Sequence, residues 1–377
     1  MGAITPRTEN AIDFWRGVAL VMIFINHIPG NAITPWTMHA FAINDAAEVF
    51  VFLAGWSISY ASGDPRQRPR VGRITYRFWD RAQTLYRAHL AITLLALAVL
   101  AASARVLDNP IFLDWHGAGV AFTEPADAMI GLALMTYQLG YFNILPMYIV
   151  LLVMAPAMVL IGRRSLGALM VISLAGYAAV LATRAALPSW PVEGAWFFNP
   201  LAWQIHMVLG FVGAELTRSS ARARAAFRLL WLPALLLVIL GAVIVTNRWF
   251  PDPTLVPQPD LFFIFEKTHT TPARVVNLLA IVITFAPLFD MVRAYIVPLA
   301  FWMCKLGRNA LAVFCVGSVL SLVGQIVRYA SVGDVVVETA YIVAGVVVLG
   351  FAAWFVEEYA RAQPSSREQS QRPPDGQ

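Results

Sequence analysis

Charged side chains are scarce in this sequence. Asp, Glu, Lys and Arg make up 13% of its 377 residues, against roughly 25% in soluble domains. Apolar residues fill 59%, in runs that recur along the whole chain. That excludes a water-soluble globular fold and implies an all-α, polytopic integral membrane protein. Cysteine is nearly absent: Cys304 and Cys315, eleven residues apart on one helical stretch, are the two present. They stand too far apart for a disulfide and lack metal-spaced Cys or His neighbours, so both read as packing residues. The sequence has no Walker A loop, GxSxG, HExxH or metal-spaced Cys/His cluster, and no G-x-G-x-x-G after a strand. The net charge of +5 comes from basic residues split among short loops. That is a topology signal and does not suggest nucleic-acid binding. A cleavable signal is not convincing either. Asn26, His27 and Pro29 stand where small residues would be needed, so the first apolar segment reads as a retained span.

Because about 20 apolar residues cross a bilayer, spans are expected near 12–29, 44–61, 83–104, 141–162, 166–187, 197–217, 228–248, 273–292, 307–328 and 336–358, ten in all. The short apolar region 127–139 reads as a re-entrant or surface helix. With both termini cytoplasmic, 21 of the 27 basic residues fall on the cytoplasmic side or its edge, as the positive-inside rule requires. The six exceptions are Arg105, Arg184, Arg248, Lys267, Arg274 and Arg328. Residues 1–361 form one membrane domain, and 362–377, rich in Gln, Ser, Pro and Arg, reads as a disordered cytoplasmic tail. The basic stretch 62–82 serves topology, or forms an amphipathic helix from Ile74 to Arg87 on the inner leaflet that meets an anionic ligand such as a nucleotide phosphate. The outer loops cover about 105–140, 188–196 and 249–272, and Trp36, Trp115, Trp190, Trp196 and Trp249 are expected at or above the outer interface. These form an interfacial belt or stack on sugar rings.

The polar residues inside apolar segments carry the chemistry. Arg16 and His27 lie on the first span with ten residues between them, about 16 Å apart along a helix and near one face. Such groups are costly in a membrane and mark sites. Asp45 and Glu48 open the second span, share a face and stand at the depth of His27. A carboxylate beside an imidazole fixes its tautomer and raises its basicity, which suits a general base acting on a hydroxyl. The plainer reading is helix N-terminal charge. Asn199 reads as an N-cap with Pro200 in the first helical position. Gln204 and His206 then line a cavity or bond to neighbouring helices. His269, in the run Phe265 to His269, reads as a surface histidine.

The spacing Arg16, ten residues, His27 resembles the signature of the membrane acyltransferase-3 superfamily. Asp13-Phe14-Trp15-Arg16-Gly17, Ile25-Asn26-His27-Ile28-Pro29 and Asp45-Ala46-Ala47-Glu48-Val49-Phe50-Val51-Phe52-Leu53 more specifically resemble the OpgC family. Phe198-Asn199-Pro200-Leu201-Ala202-Trp203-Gln204 and Leu306-Gly307-Arg308-Asn309-Ala310-Leu311 fit the same family. Ala54 departs from it, where a Ser is usual. The resemblance covers most of the chain. It implies a multi-pass inner-membrane enzyme that moves a succinyl group from cytoplasmic succinyl-CoA to osmoregulated periplasmic glucans.

On that expectation His27, Glu48 and Arg16 are catalytic, and Asp13, Asn26, Asp45, Asn199, Trp203 and Gln204 bind substrate. Arg16 holds the donor, and His27, oriented by Glu48, takes a proton from a glucan hydroxyl. The expected partners are an acyl-CoA, a glucan or other polysaccharide acceptor, and membrane lipid. Two alternatives stay open. One is an acetyltransferase of another cell-surface polysaccharide, and the other is a proton-coupled secondary transporter using the same polar residues.

Overall fold

The computed structural model describes residues 9–63 and 70–362. Expectations for the chain's final segment, apart from Ala362, and for Arg66 and Arg68 fall outside them. The described residues form helices and loops, with one isolated bridge and no strand.

Two capped helices carry the residues of interest. Helix α1 (Ala11–Asn26) starts at Asn10, whose side chain accepts from the Asp13 amide, and ends at His27. Helix α2 (Ala46–Ala61) starts at Asp45 with a complete capping box: Asp45 accepts from the helix amides while Glu48 reaches back to the Asp45 amide. This arrangement satisfies orphan donors at both places. Helix α3 (Val71–Val106) runs unbroken for 36 residues. The basic segment from Ile74 to Arg87 is therefore the first half of one long helix and not a separate helix. No proline or glycine interrupts it after Gly72, so the backbone has no reason to break.

Short helices α4 (Gly119–Thr123) and α5 (Pro125–Ala133) fill the following loop. Next come α6 (Ile144–Arg164), α7 (Leu166–Thr183) and α8 (Pro200–Ser219). Helices α9 (Ala221–Leu229) and α10 (Trp231–Thr246) meet at a 44° bend. They are followed by α11 (Pro272–Phe285), α12 (Leu288–Tyr295) and α13 (Val297–Arg308). Helices α14 (Ala310–Ala330) and α15 (Val335–Ala362) close the order.

A helix stands at each of the ten expected positions. Among the described residues, six stretches are long and apolar enough to cross a membrane alone, or up to seven counting the bent pair. Helices α1 and α2, 16 residues each, lie inside the bundle: α1 packs on α2, α13 and α14, and α2 packs on α8. Their close approach depends on glycine. A Cβ on Gly17 would overlap the Met303 carbonyl of α13, and one on Gly307 would overlap the Asp13 carbonyl of α1. Arg16-Gly17 and Gly307-Arg308 are therefore two sides of one backbone contact.

Candidate active site between two cavities

Helix α1 carries a different polar site at each end. At its start, the Arg16 guanidinium donates to Ser57 Oγ at 2.5 Å and lies 3.4 Å from Asp13 Oδ1. Ser57 in turn donates to the Leu53 carbonyl one turn back on α2. Arg16 lines a cavity of about 750 Å³ whose wall also carries Arg77, Asp80, Arg81, Tyr148 and Arg308. Asp13 holds Arg16 from behind, and Asn10 donates to its other oxygen at 2.7 Å.

The other end of α1 opens into a second cavity of about 520 Å³, lined by Asn26, His27, His39, Asp45, Tyr141, Phe197 and Lys267 among others. The His27 ring lies 4.8 Å from that of Tyr141, centroid to centroid. Its Nδ1 is buried with no hydrogen-bond partner among the described residues. Asn26 accepts from Thr37 Oγ1 at 2.8 Å. Ile144 and Phe314 line both cavities, so the partition between them is about one side chain thick there.

The carboxylates of α2 are arranged differently from expectation. Glu48 is fully buried; it accepts from Arg274 Nε at 2.7 Å and from the Asp45 amide at 3.0 Å. It makes no hydrogen bond to His27. The reason is Arg274 on α11, which also donates to the Ile43 carbonyl at 2.7 Å. A buried carboxylate needs such a partner, and that bond occupies the oxygen the capping box leaves over. Asp45 instead lines the His27 cavity. It pairs closely with Lys267, with Arg274 at 3.9 Å. Lys267 sits over the rings of Phe197 and Phe198 at 5.6 and 5.3 Å. Two acids and two bases thus tie the start of α2 to α11 and to the loop before it.

That loop is internally braced. Glu266 accepts from the amides of Thr268 and His269 at 2.7 and 2.8 Å and lies 3.1 Å from His269 Nδ1. Burial alone would raise the Glu266 pKa, but the bonds from His269 and Thr268 outweigh it and bring it down to about 2. His269, expected on the surface, is buried, because it folds back onto Glu266.

The remaining expected substrate residues do not line this cavity. Asn199 caps α8 as expected, accepting from the Leu201 amide, and donates to the Ala185 carbonyl. Trp203 is fully buried, and its indole N–H reaches the carbonyls of Lys267 and Thr268 at 3.1 Å. Gln204 bonds to Ser173, and His206 to Thr270 at 2.5 Å. Of the two readings open for Gln204 and His206, the neighbour-bonding one matches these contacts. Trp203 bears on the site indirectly, by supporting the backbone that carries Lys267.

Lys267, Arg274 and Tyr141 escaped the sequence reading as site residues, although Lys267 and Arg274 stood among the six basic exceptions. A comparison with protein families matches the one described as OpgC protein over residues 8–361. Comparisons with curated proteins and with solved structures find no match. The family match spans both cavities and every helix that lines them, and this chain belongs to the OpgC protein family.

Proposed function

We infer that the protein is a membrane O-acyltransferase that moves a succinyl group from cytoplasmic succinyl-CoA to hydroxyls of periplasmic glucans, working in the inner membrane with ten spans and both termini inside. One observation carries this reading. Two cavities approach each other from the two ends of α1 and share Ile144 and Phe314, one holding Arg16 and the other His27. An acyl donor in one and a sugar hydroxyl in the other could react where the cavities meet. Family membership supports the same reading.

In this reaction the coenzyme's phosphates lie toward the basic end, and its extended arm passes between Ile144 and Phe314. Arg16 steadies an anionic part of the donor. His27, through the ring nitrogen not buried, takes the proton of the hydroxyl as general base. The hydroxyl oxygen attacks the thioester carbonyl, the carbon–sulfur bond breaks, and the thiolate leaves with the coenzyme and takes up a proton. Asp45, held by Lys267, faces the same cavity and takes the place assigned to Glu48 as the carboxylate closest in role to His27. Asn26 and the exposed face of Phe197 contact the acceptor.

The test uses purified protein in liposomes with glucan as acceptor and labelled succinyl-CoA or acetyl-CoA supplied separately. Label on glucan from succinyl-CoA alone supports the reading. Label from acetyl-CoA alone moves the protein to acetylation of a surface polysaccharide. Uptake of labelled substrate without acyl-CoA, and no transfer from either donor, makes it a transporter. The His27→Ala variant should insert and fold normally yet transfer nothing. Normal glucan succinylation in cells carrying it would sink the base assignment.

A further inference from the structure

We propose that His116 and Gln325 are positioning residues for His27, clamping the end of α1 from a loop on one side and from α14 on the other. The proposal rests on the reading of His27 as the reacting base. The last carbonyls of a helix have no partner within it. Here side chains reach the carbonyls of Phe24 and Ile25 and those of His27 and Ile28 just beyond the helix. Ser321 on α14 shares its hydroxyl proton between its own Gly317 carbonyl at 2.8 Å and the Phe24 carbonyl at 3.1 Å, and Gln325, one turn further, donates to the His27 carbonyl at 2.5 Å. Asn31 donates to the carbonyls of Ile25 and Ile28 at 2.9 and 2.6 Å. The turn carrying His27 is thus fixed at four points.

Gln325 has a second contact that fixes more than the backbone. Its Oε1 lies 2.7 Å from His116 Nε2. A carbonyl oxygen only accepts, so the Gln325 amide must turn its N–H toward His27 and its oxygen toward His116. His116 must then donate through Nε2–H, which sets its tautomer. The chain thus runs from the His116 N–H to Gln325 to the His27 carbonyl. The same His116 ring packs edge-on against Tyr141 at 5.1 Å, and Tyr141 packs on the His27 ring at 4.8 Å. The His27 turn is therefore gripped twice, once through its carbonyl and once through its ring.

Backbone strain points the same way. His116 and Tyr141 both adopt left-handed backbone, with φ of 60° and 67°, a conformation that side-chain-bearing residues rarely take. Gly140, beside Tyr141, donates its amide to the His116 carbonyl at 3.0 Å, joining the two strained residues. Strain of this kind persists only where the surroundings hold it, and it gathers at functional sites.

The experiment measures transfer kinetics for His116→Ala, His116→Gln, Gln325→Leu and Gln325→Glu in liposomes. It also records ¹⁵N spectra of histidine-labelled protein, with ring signals assigned from His27→Gln and His116→Gln. Misplacing a reacting group by about an ångström costs about a hundredfold in rate. His116→Ala and Gln325→Leu should therefore lose roughly ten- to a hundredfold in kcat, with KM for the acyl donor unchanged. His116→Gln keeps an N–H donor near the Nε2 position and should recover most of the rate. Gln325→Glu cannot donate to the His27 carbonyl and should not.

In the spectra, wild-type His116 should show the Nε2–H tautomer, and Gln325→Leu should shift the His27 ring signals. Full kcat in His116→Ala, or failure of His116→Gln in protein that folds, overturns the proposal. Unchanged His27 signals in Gln325→Leu overturn it whatever the activity. If the wild-type protein transfers no acyl group, the function reading fails, and the spectra still decide whether the clamp exists.

Discussion

A carboxylate enclosed by a guanidinium and a backbone amide acts as a strut, and Glu48 is of that kind. Asp45, three residues earlier, lines the cavity and is paired with Lys267. Local spacing put both acids on one face, but their roles were set by Arg274, which lies 226 residues from Glu48 in the chain. Glu266 offers a pH test of the loop that presents Lys267. Its folded-state pKa, about 2, lies below its ordinary 4.5. Its stabilisation of the loop is therefore complete above pH 4.5 and is lost as pH falls toward 2. Amide exchange at Thr268 and His269, corrected for intrinsic rates, should rise across that window. Glu266→Gln should show raised exchange already at neutral pH, and equal protection in both proteins would remove Glu266 as the brace.

Arg16 and His27 were legible because a charged or titratable group inside an apolar run is costly and seldom stands there without a role. The Asn199 cap was legible because its bond spans two residues. The clamp on His27 was not, since Gln325 lies 298 residues away. A partial signal did exist. Of the six basic residues outside the positive-inside pattern, Arg184, Lys267, Arg274 and Arg328 each pair with a carboxylate: Asp260, Asp45, Glu48 and Glu338. A basic residue on the wrong side of the topology pattern thus pointed toward an ion pair, without naming its partner.

Among the helices, the contact between α1 and α13 is the one on which the position of Arg16 depends. It has no room for a methyl group at Gly17. Overpacking of this kind typically costs about 1–3 kcal/mol. Gly17→Ala should therefore lower the unfolding midpoint in detergent by an amount of that size, and should weaken acyl-donor use because Arg16 moves away from Ser57. A variant as stable as the parent would mean the helices separate without cost. The apolar runs located the helices well, but helix ends followed caps and breaks that the runs do not show. Helix α3 begins at Val71, well before the expected 83, because nothing interrupts it. The eighth expected span, 273–292, divides into α11 and the start of α12, and the stretch between the eighth and ninth expected spans is mostly α13. Its apolar residues pack on α1 from the side, so they never needed a full span's length.

For the whole molecule, orientation is the property that the proposed chemistry needs most. With Cys304 and Cys315 replaced by Ala, single cysteines can be placed at Leu229, Leu255 and Val332, which are 81%, 82% and 93% exposed. With ten spans and both termini inside, an impermeant thiol reagent should label Leu255→Cys and Val332→Cys in intact cells. It should reach Leu229→Cys only after permeabilisation. Labelling of Leu229→Cys in intact cells would break the ten-span reading.

The narrow partition at Ile144 and Phe314 has an electrical consequence. A plain bilayer spreads its voltage over about 30 Å of hydrocarbon. Two cavities open to opposite faces, as the proposed function requires, would concentrate that voltage into the short gap between them. An elementary charge crossing the whole drop exchanges about 2.3 kcal/mol per 100 mV. In the proposed reaction a succinyl group would carry a carboxylate through the gap, whereas an acetyl group carries no charge. In a cell whose interior is negative, outward succinyl transfer would draw on the membrane potential as well as on the thioester, whereas acetyl transfer would draw on the thioester alone.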